Sequence, residues 1–208
     1  MHLKVIYNKN KEIINHRKND IPVLLEKKNL IVMGSDIIHE WENENNDLFY
    51  VSGYIIGERD LQNNLIPIKN YKFLENPETI DRFEGRFVCI KIGKSGDCKM
   101  YYDNYGRSDL YWLITNDQTI ISTTLKDLPI KGKNAEIDQI GLSQSLTIYG
   151  SRPLKKHTLY KNVKRLGVNE ILTLKEGNIK IFKRDFKKLI ASENSDKKDL
   201  NQYSDYFI

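Results

Sequence analysis

Tyr101-Tyr102-Asp103-Asn104-Tyr105-Gly106-Arg107-Ser108-Asp109-Leu110-Tyr111-Trp112 is the stretch that decides the fold. A tyrosine-rich run enters an Asp-x-x-Gly turn, and an apolar aromatic run leaves it. Asp supplies a side-chain acceptor for the turn's own amides, and Gly tolerates positive φ. The segment therefore reads as a turn between two β-strands, 99–102 and 110–115. Working outward, residues 87–92 form a strand before it, and Gly93-Lys94-Ser95-Gly96-Asp97 is a tight hairpin turn. After it, residues 119–122 return around Asn116-Asp117. The whole of 83–123 is predicted to be an antiparallel meander with one buried face per strand.

The flanks carry further signals. Residues 1–8 alternate Leu3, Val5 and Tyr7 with polar or opposite-face residues, which predicts a strand. Residues 48–57 are a strongly apolar strand interrupted by glycine, as at a bulge or a close backbone approach. Glu58-Arg59-Asp60-Leu61 reads as the start of a short helix. A second helix is predicted from Asp138 as N-cap, with Ile140, Leu142, Leu146 and Ile148 as its apolar side and Gly150 as its stop. Residues 169–174 and 178–182 flank Lys175-Glu176-Gly177 as a hairpin. Residues 192–199 are polar and linker-like. Leu200, Tyr203 and Phe207 then recur at helical spacing, which predicts that the chain continues or docks its end on a partner.

Length and composition bound the rest. The chain has 208 residues, enough for one sizeable core, and a net charge of +5. Its apolar stretches fall far short of the ~20 residues of a membrane span, and residues 1–8 lack the features of a signal peptide. The two cysteines, Cys89 and Cys98, make no zinc site by themselves. They are expected to be reduced in a cytoplasmic protein, with Cys89 a buried structural thiol. Basic residues gather at Lys155, Lys156, His157, Lys161, Lys164 and Arg165. The expectation is a solvated loop, His157 included, with no membrane partner and no nucleic acid.

From Asp81 onward the order of segments resembles the class-II glutamine amidotransferase domain of asparagine synthetases. Phe83-Glu84-Gly85-Arg86-Phe87-Val88-Cys89 stands where that family has Leu-x-Gly-x-Phe-Ala-Phe. Asp103, Gly106, Leu110 and Tyr111 match its Arg-Asp-x-x-Gly-x-x-x-Leu-Tyr-Tyr segment, with Tyr102 for the arginine and Trp112 for the last tyrosine. Ser122, Lys126 and Leu128 fit Ser-Glu-x-Lys-x-Leu. The helix at 137–149 and Thr158-Leu159-Tyr160-Lys161-Asn162-Val163-Lys164-Arg165-Leu166 follow in the family's order. The first 75 or so residues match much less well.

The resemblance implies an α+β fold of the Ntn-hydrolase type, a four-layer αββα sandwich of two antiparallel sheets. It implies an amidotransferase-like domain over 1–190. Residues 191–208 would be a linker and the start of a helix into a synthetase domain. The Ser-Gly-Gly-x-Asp-Ser loop of that domain is absent here, so ATP and Mg would belong to the synthetase and no cofactor or metal to this chain. The implied partner is a synthetase domain in cis or in trans, with a homodimer also open.

The family's chemistry needs an N-terminal cysteine, whose thiol attacks the amide while its α-amino group acts as base. This chain begins Met1-His2, and neither residue forms a thioester. Ser52-Gly53-Tyr54-Ile55-Ile56-Gly57 takes the place of the oxyanion segment Asn-Gly-Glu-Ile-Tyr-Asn. Ser52 and Gly53 are therefore a remnant oxyanion site, and Asp81 stands one residue from the position of the ammonium-binding aspartate. Gly85, Asp103, Gly106, Tyr111 and Ser122 are motif positions with structural roles. The expectation is a degenerate domain, with no catalytic residue, that serves an asparagine-synthetase-like ligase structurally or by regulation. The alternatives are an Ntn amidohydrolase with a non-standard nucleophile and a stand-alone basic binding module.

Overall fold

The structure is a computed structural model and describes residues 2–9, 21–60, 64–68, 70–147 and 157–184. In chain order the strands are β1 (His2–Asn8), β2 (Val23–Lys27), β3 (Leu30–Ser35), β4 (Ile37–Glu42), β5 (Leu48–Arg59), β6 (Leu65–Ile66), β7 (Phe83–Ile92), β8 (Cys98–Tyr102), β9 (Tyr111–Ile114), β10 (Gln118–Ser122), β11 (Val163–Arg165), β12 (Glu170–Lys175) and β13 (Asn178–Lys183). They form two antiparallel sheets. One runs β11-β9-β10-β1-β3-β2, and the other β13-β12-β8-β7-β5-β4 with β6 on the far end of β5.

The sheets pack face to face, and the sequence shows why. In β7, Phe87, Val88, Cys89 and Ile90 are all buried, because both faces of the strand are covered. Val88, Ile90 and Ile92 meet Leu3, Val5, Leu30, Val32 and Ile121 of the other sheet. Phe87 and Cys89 face outward onto Leu74, Ile80 and Phe83, under the 3-10 turns Tyr71–Glu75 and Pro77–Arg82. On the opposite outer face, Ile6, Ile31 and Met33 pack with Leu113, Ile120 and Leu128. Each fully buried side chain of this size contributes about 1.5–3 kcal/mol.

The two-sheet α+β sandwich agrees with the fold the resemblance implies. Its outer layers are thinner than four full layers would be: among the described residues the only α-helix is α1 (Gln139–Leu146) and the rest are 3-10 turns. No helix among the described residues is long and apolar enough to cross a membrane.

Three readings of local structure are corrected. Residues 83–123 are not one meander: β7 and β8 lie in one sheet and β9 and β10 in the other, so the Asp103 turn carries the chain between sheets. These strands are buried on both faces. Glu58 and Arg59 continue β5 instead of starting a helix, because β6 pairs with them. The apolar side of α1 is exposed at Ile140, Leu142 and Leu146. The helix packs instead through Gly141, where a Cβ would stand 2.0 Å from Thr158 O. Its cap is as read: Asp138 accepts from the amides of Ile140 and Gly141. Ile148 and Gly150, the linker at 191–208 and its helical pattern lie outside the described residues.

The 48–57 glycine signal resolves into a bulge. Ile55 pairs with Gly85 and Gly57 with Glu84, leaving Ile56 as the extra residue. Gly57 is required because a Cβ there would lie 2.5 Å from Ile66 O, and Gly85 because one there would lie 2.4 Å from Tyr54 O. The β12–β13 hairpin closes as read, through Glu176 and Gly177, both at positive φ.

Candidate functional site

The start of β1 is where the resemblance puts the nucleophile, and a polar cluster surrounds it. His2 pairs with Ser35 of β3, and Lys4 with Ser122 of β10. Asp127, in the turn Leu125–Asp127, lies over these strands. Its Oδ2 accepts from Ser122 Oγ at 2.5 Å and is 2.5 Å from His2 Nε2. Lys4 is nearly fully buried. Burial pushes its ammonium below the ordinary lysine value, and Asp127 pulls it back up. Thr123 closes the cluster, its amide donating to Leu3 O and its Oγ1 accepting from Leu3 N, each at 3.0 Å.

This arrangement ties strands together and does not activate a hydroxyl. Ser122 Oγ donates to a carboxylate and accepts from Thr124 N at 3.1 Å. The imidazole and the Ser122 hydroxyl both bond to Asp127 Oδ2, and Ser122 gives its proton to that oxygen and not to the ring.

Ser52 and Gly53 lie beside this cluster. The chain passes from β3 to β4 at Ser35-Asp36, with Asp36 at φ 56°. Ser52 is fully buried and its Oγ donates to Ser35 O at 2.9 Å. The Gly53 amide donates to Asp36 O at 3.0 Å. Both donors that the resemblance assigns to an oxyanion are therefore bonded to the backbone of this crossing. An oxyanion site needs donors aimed at open space where charge develops. Asp81 lies in the turn Pro77–Arg82, six residues before Phe87, the register partner of Gly53. Its charge acts on Arg184. Arg184 binds Pro77 O at 3.0 Å, Asn104 Oδ1 at 2.9 Å and Asn169 Oδ1 at 2.7 Å.

The cysteines offer no replacement nucleophile. Both are fully buried and free. Burial pushes Cys89 up to about 12 and raises Cys98 as well, so neither thiol forms a thiolate near neutral pH.

The other motif residues are placed as follows. Asp103 is buried, and its carboxylate accepts from the amides of Tyr105, Arg107 and Ser108 at 3.1–3.3 Å. Gly106 has φ 61° and sits against Val168 and the Tyr102 ring. Tyr102 OH reaches Leu166 O at 2.8 Å. Tyr111 pairs with Ser122 and with Arg165. Gly85 lies under Tyr54, as described. These residues hold the crossing between sheets.

In the basic segment, Lys155 and Lys156 lie outside the described residues. His157 is not simply solvated: its Nδ1 is 3.0 Å from Asp138 Oδ2. That contact, with the amides of Gly141 and Ile140, holds the Asp138 carboxyl below its ordinary value. Lys161 pairs with Glu136 at 2.7 Å and Arg165 with Asp109 at 3.8 Å.

Sequence reasoning missed Asp127, Lys4 and Arg184. His2 and Asp127 are 125 positions apart, so no local spacing could have joined them.

No protein-family model matches this sequence, and no curated protein matches it. Solved structures match at low identity. The glutamine phosphoribosylpyrophosphate amidotransferase from B. subtilis, complexed with ADP and GMP, matches with 8% identity and a TM-score of 0.42, over 88% of this chain and 42% of that one. The structure titled as the allosteric regulatory enzyme of purine biosynthesis matches with 8% identity and a TM-score of 0.44, again over 88% and 42%. The chain thus spans less than half the length of these proteins.

Proposed function

We propose that this chain is a catalytically degenerate, glutamine-amidotransferase-like domain. Its role is structural or regulatory, toward an asparagine-synthetase-like, ATP-dependent ligase domain in cis or in trans. ATP and Mg would bind that partner domain, in the cytoplasm. The observation that carries the reading is the fate of two donors. Ser52 Oγ and the Gly53 amide are both bonded to Ser35-Asp36, at the place the resemblance reserves for an oxyanion. The order of motifs from Asp81 to Leu166 supports the family context.

A glutaminase assay on the purified chain, with intact mass recorded on the same sample, tests this. The expected outcome is no glutamate release with Met1 retained. Release abolished by a thiol-reactive glutamine analogue, from a chain with a processed N-terminus, would overturn the reading.

A further inference from the structure

Beyond Ser52, the inward-facing residues of β5 and β7 lose the cover of the opposite sheet. Tyr54 pairs with Arg86, so the two side chains share a face. Tyr54 is 56% exposed and the bulged Ile56 64% exposed. Leu65 of β6, paired with Arg59, is exposed as well. Arg107 comes from the inter-sheet crossing and donates to Gly85 O at 3.1 Å. Its guanidinium lies 4.6 Å from the centre of the Tyr105 ring, and that ring is 56% exposed. Glu84 is held between Arg59 at 3.0 Å and Arg107 at 3.6 Å. Arg86 makes no ion pair with any described residue.

The composition of this shelf is unusual for the chain. Of 33 basic residues only eight are arginines, and three of those eight meet here beside two exposed tyrosines. Tyrosine and arginine are the residues that interfaces between proteins concentrate and that carry most of their binding energy, whereas lysine is depleted there. Two glycines at close backbone approaches, Gly57 and Gly85, flank the bulge that carries Ile56. Glu84 is shared by Arg59 and Arg107, and the Arg86 guanidinium makes no ion pair with a described residue, which leaves positive charge beside the tyrosines.

We propose that this shelf is a docking surface for a protein partner that presents an apolar or aromatic centre ringed by carboxylates. Tyr54 and Ile56 receive the centre, and Arg86 and Arg107 pair with the ring. The proposal stands on the surface itself and is independent of whether the chain hydrolyses glutamine. A single-stranded nucleic acid would use the tyrosines and arginines but has no use for Ile56 and Leu65.

The test is a random 12-residue peptide library selected on the immobilised chain, with Tyr54→Ser and Arg86→Glu variants as counter-targets. Thermal melts confirm that the variants fold. The expected result is enriched peptides with an aromatic or aliphatic centre flanked by Asp or Glu. Their affinity should fall at least tenfold for either variant, and binding to Arg86→Glu should be rescued by peptides carrying Lys or Arg at the flanks. Failure to enrich such peptides, or equal binding to the variants, overturns the proposal. So does shelf-dependent binding of a 12-nucleotide oligouridine in preference to the peptides. Sedimentation velocity adds a last outcome: self-association abolished by Ile56→Asp would assign the shelf to a second copy of the chain and overturn a heterologous partner.

Discussion

Residues 48–52 of β5 lie between the opposite sheet and the Tyr71–Arg82 turns, and four of these five residues are buried. Residues 54–56 continue the same strand in the same sheet, yet Tyr54 and Ile56 are mostly exposed. The two halves have similar apolar content, so composition does not separate them. The extent of the facing sheet does. The first half is core because β1 and β3 cover it, and the second is surface because they end. An apolar strand residue is thus assigned to core or interface by the length of a neighbour that the strand's own sequence does not mention.

The contrast can be broken most sharply in the buried half. Phe49→Ala should cost about 3–5 kcal/mol, the usual range for emptying a phenylalanine site in a packed core, as read by urea denaturation. A cost below about 1 kcal/mol would mean this half is not core. At the junction, Gly85→Ala sets a Cβ 2.4 Å from Tyr54 O. It should cost about 3 kcal/mol, the upper end for overpacking, and a neutral outcome would show that the two strands do not approach closely. Ser52→Ala removes the hydrogen bond from the buried hydroxyl to Ser35 O, a loss of about 0.5–1.5 kcal/mol.

A pH prediction sharpens the buried half further. Asp47 precedes β5, and the Lys91 hydrogen bond at 2.7 Å holds its carboxyl below the ordinary value against a smaller opposing effect of burial. A depressed native value means this contribution is fully present above the unfolded aspartate value of about 3.9 and is lost as pH falls through the native one. Asp47→Asn should therefore flatten the decline of Tm below about pH 4, with an unchanged slope counting against the pair. The smallest effect belongs to the exposed half. Ile56→Ser should leave stability within about 0.5 kcal/mol, and a larger loss would place Ile56 in a core.

Much of this fold was legible in the sequence. Alternation and turn chemistry found β1, β7, β8 and the β12–β13 hairpin, and Asp138 announced its helix by its side-chain oxygen. The crossing at Asp103 was misjudged because an Asp-x-x-Gly turn looks the same whether the chain stays in one sheet or moves to another. The side of α1 was misjudged because periodicity weighs side chains, whereas this helix docks by the missing side chain of Gly141. Ser52 and Gly53 were singled out from sequence. That their hydrogen bonds run to Ser35 and Asp36 depends on a left-handed residue at Asp36, which no pattern announces. The Asp127 cluster was illegible, since it joins residues brought together only by the β1–β10 register.

That register has a consequence for synthesis. β1 is made before both strands that flank it, β3 and β10. β3 follows within a few dozen residues. β10 ends at Ser122, so one edge of β1 stays unpaired until more than a hundred further residues have been made. An apolar strand with an open edge can pair with a neighbouring chain. Slower elongation between β3 and β10 would lengthen the interval during which that edge is open.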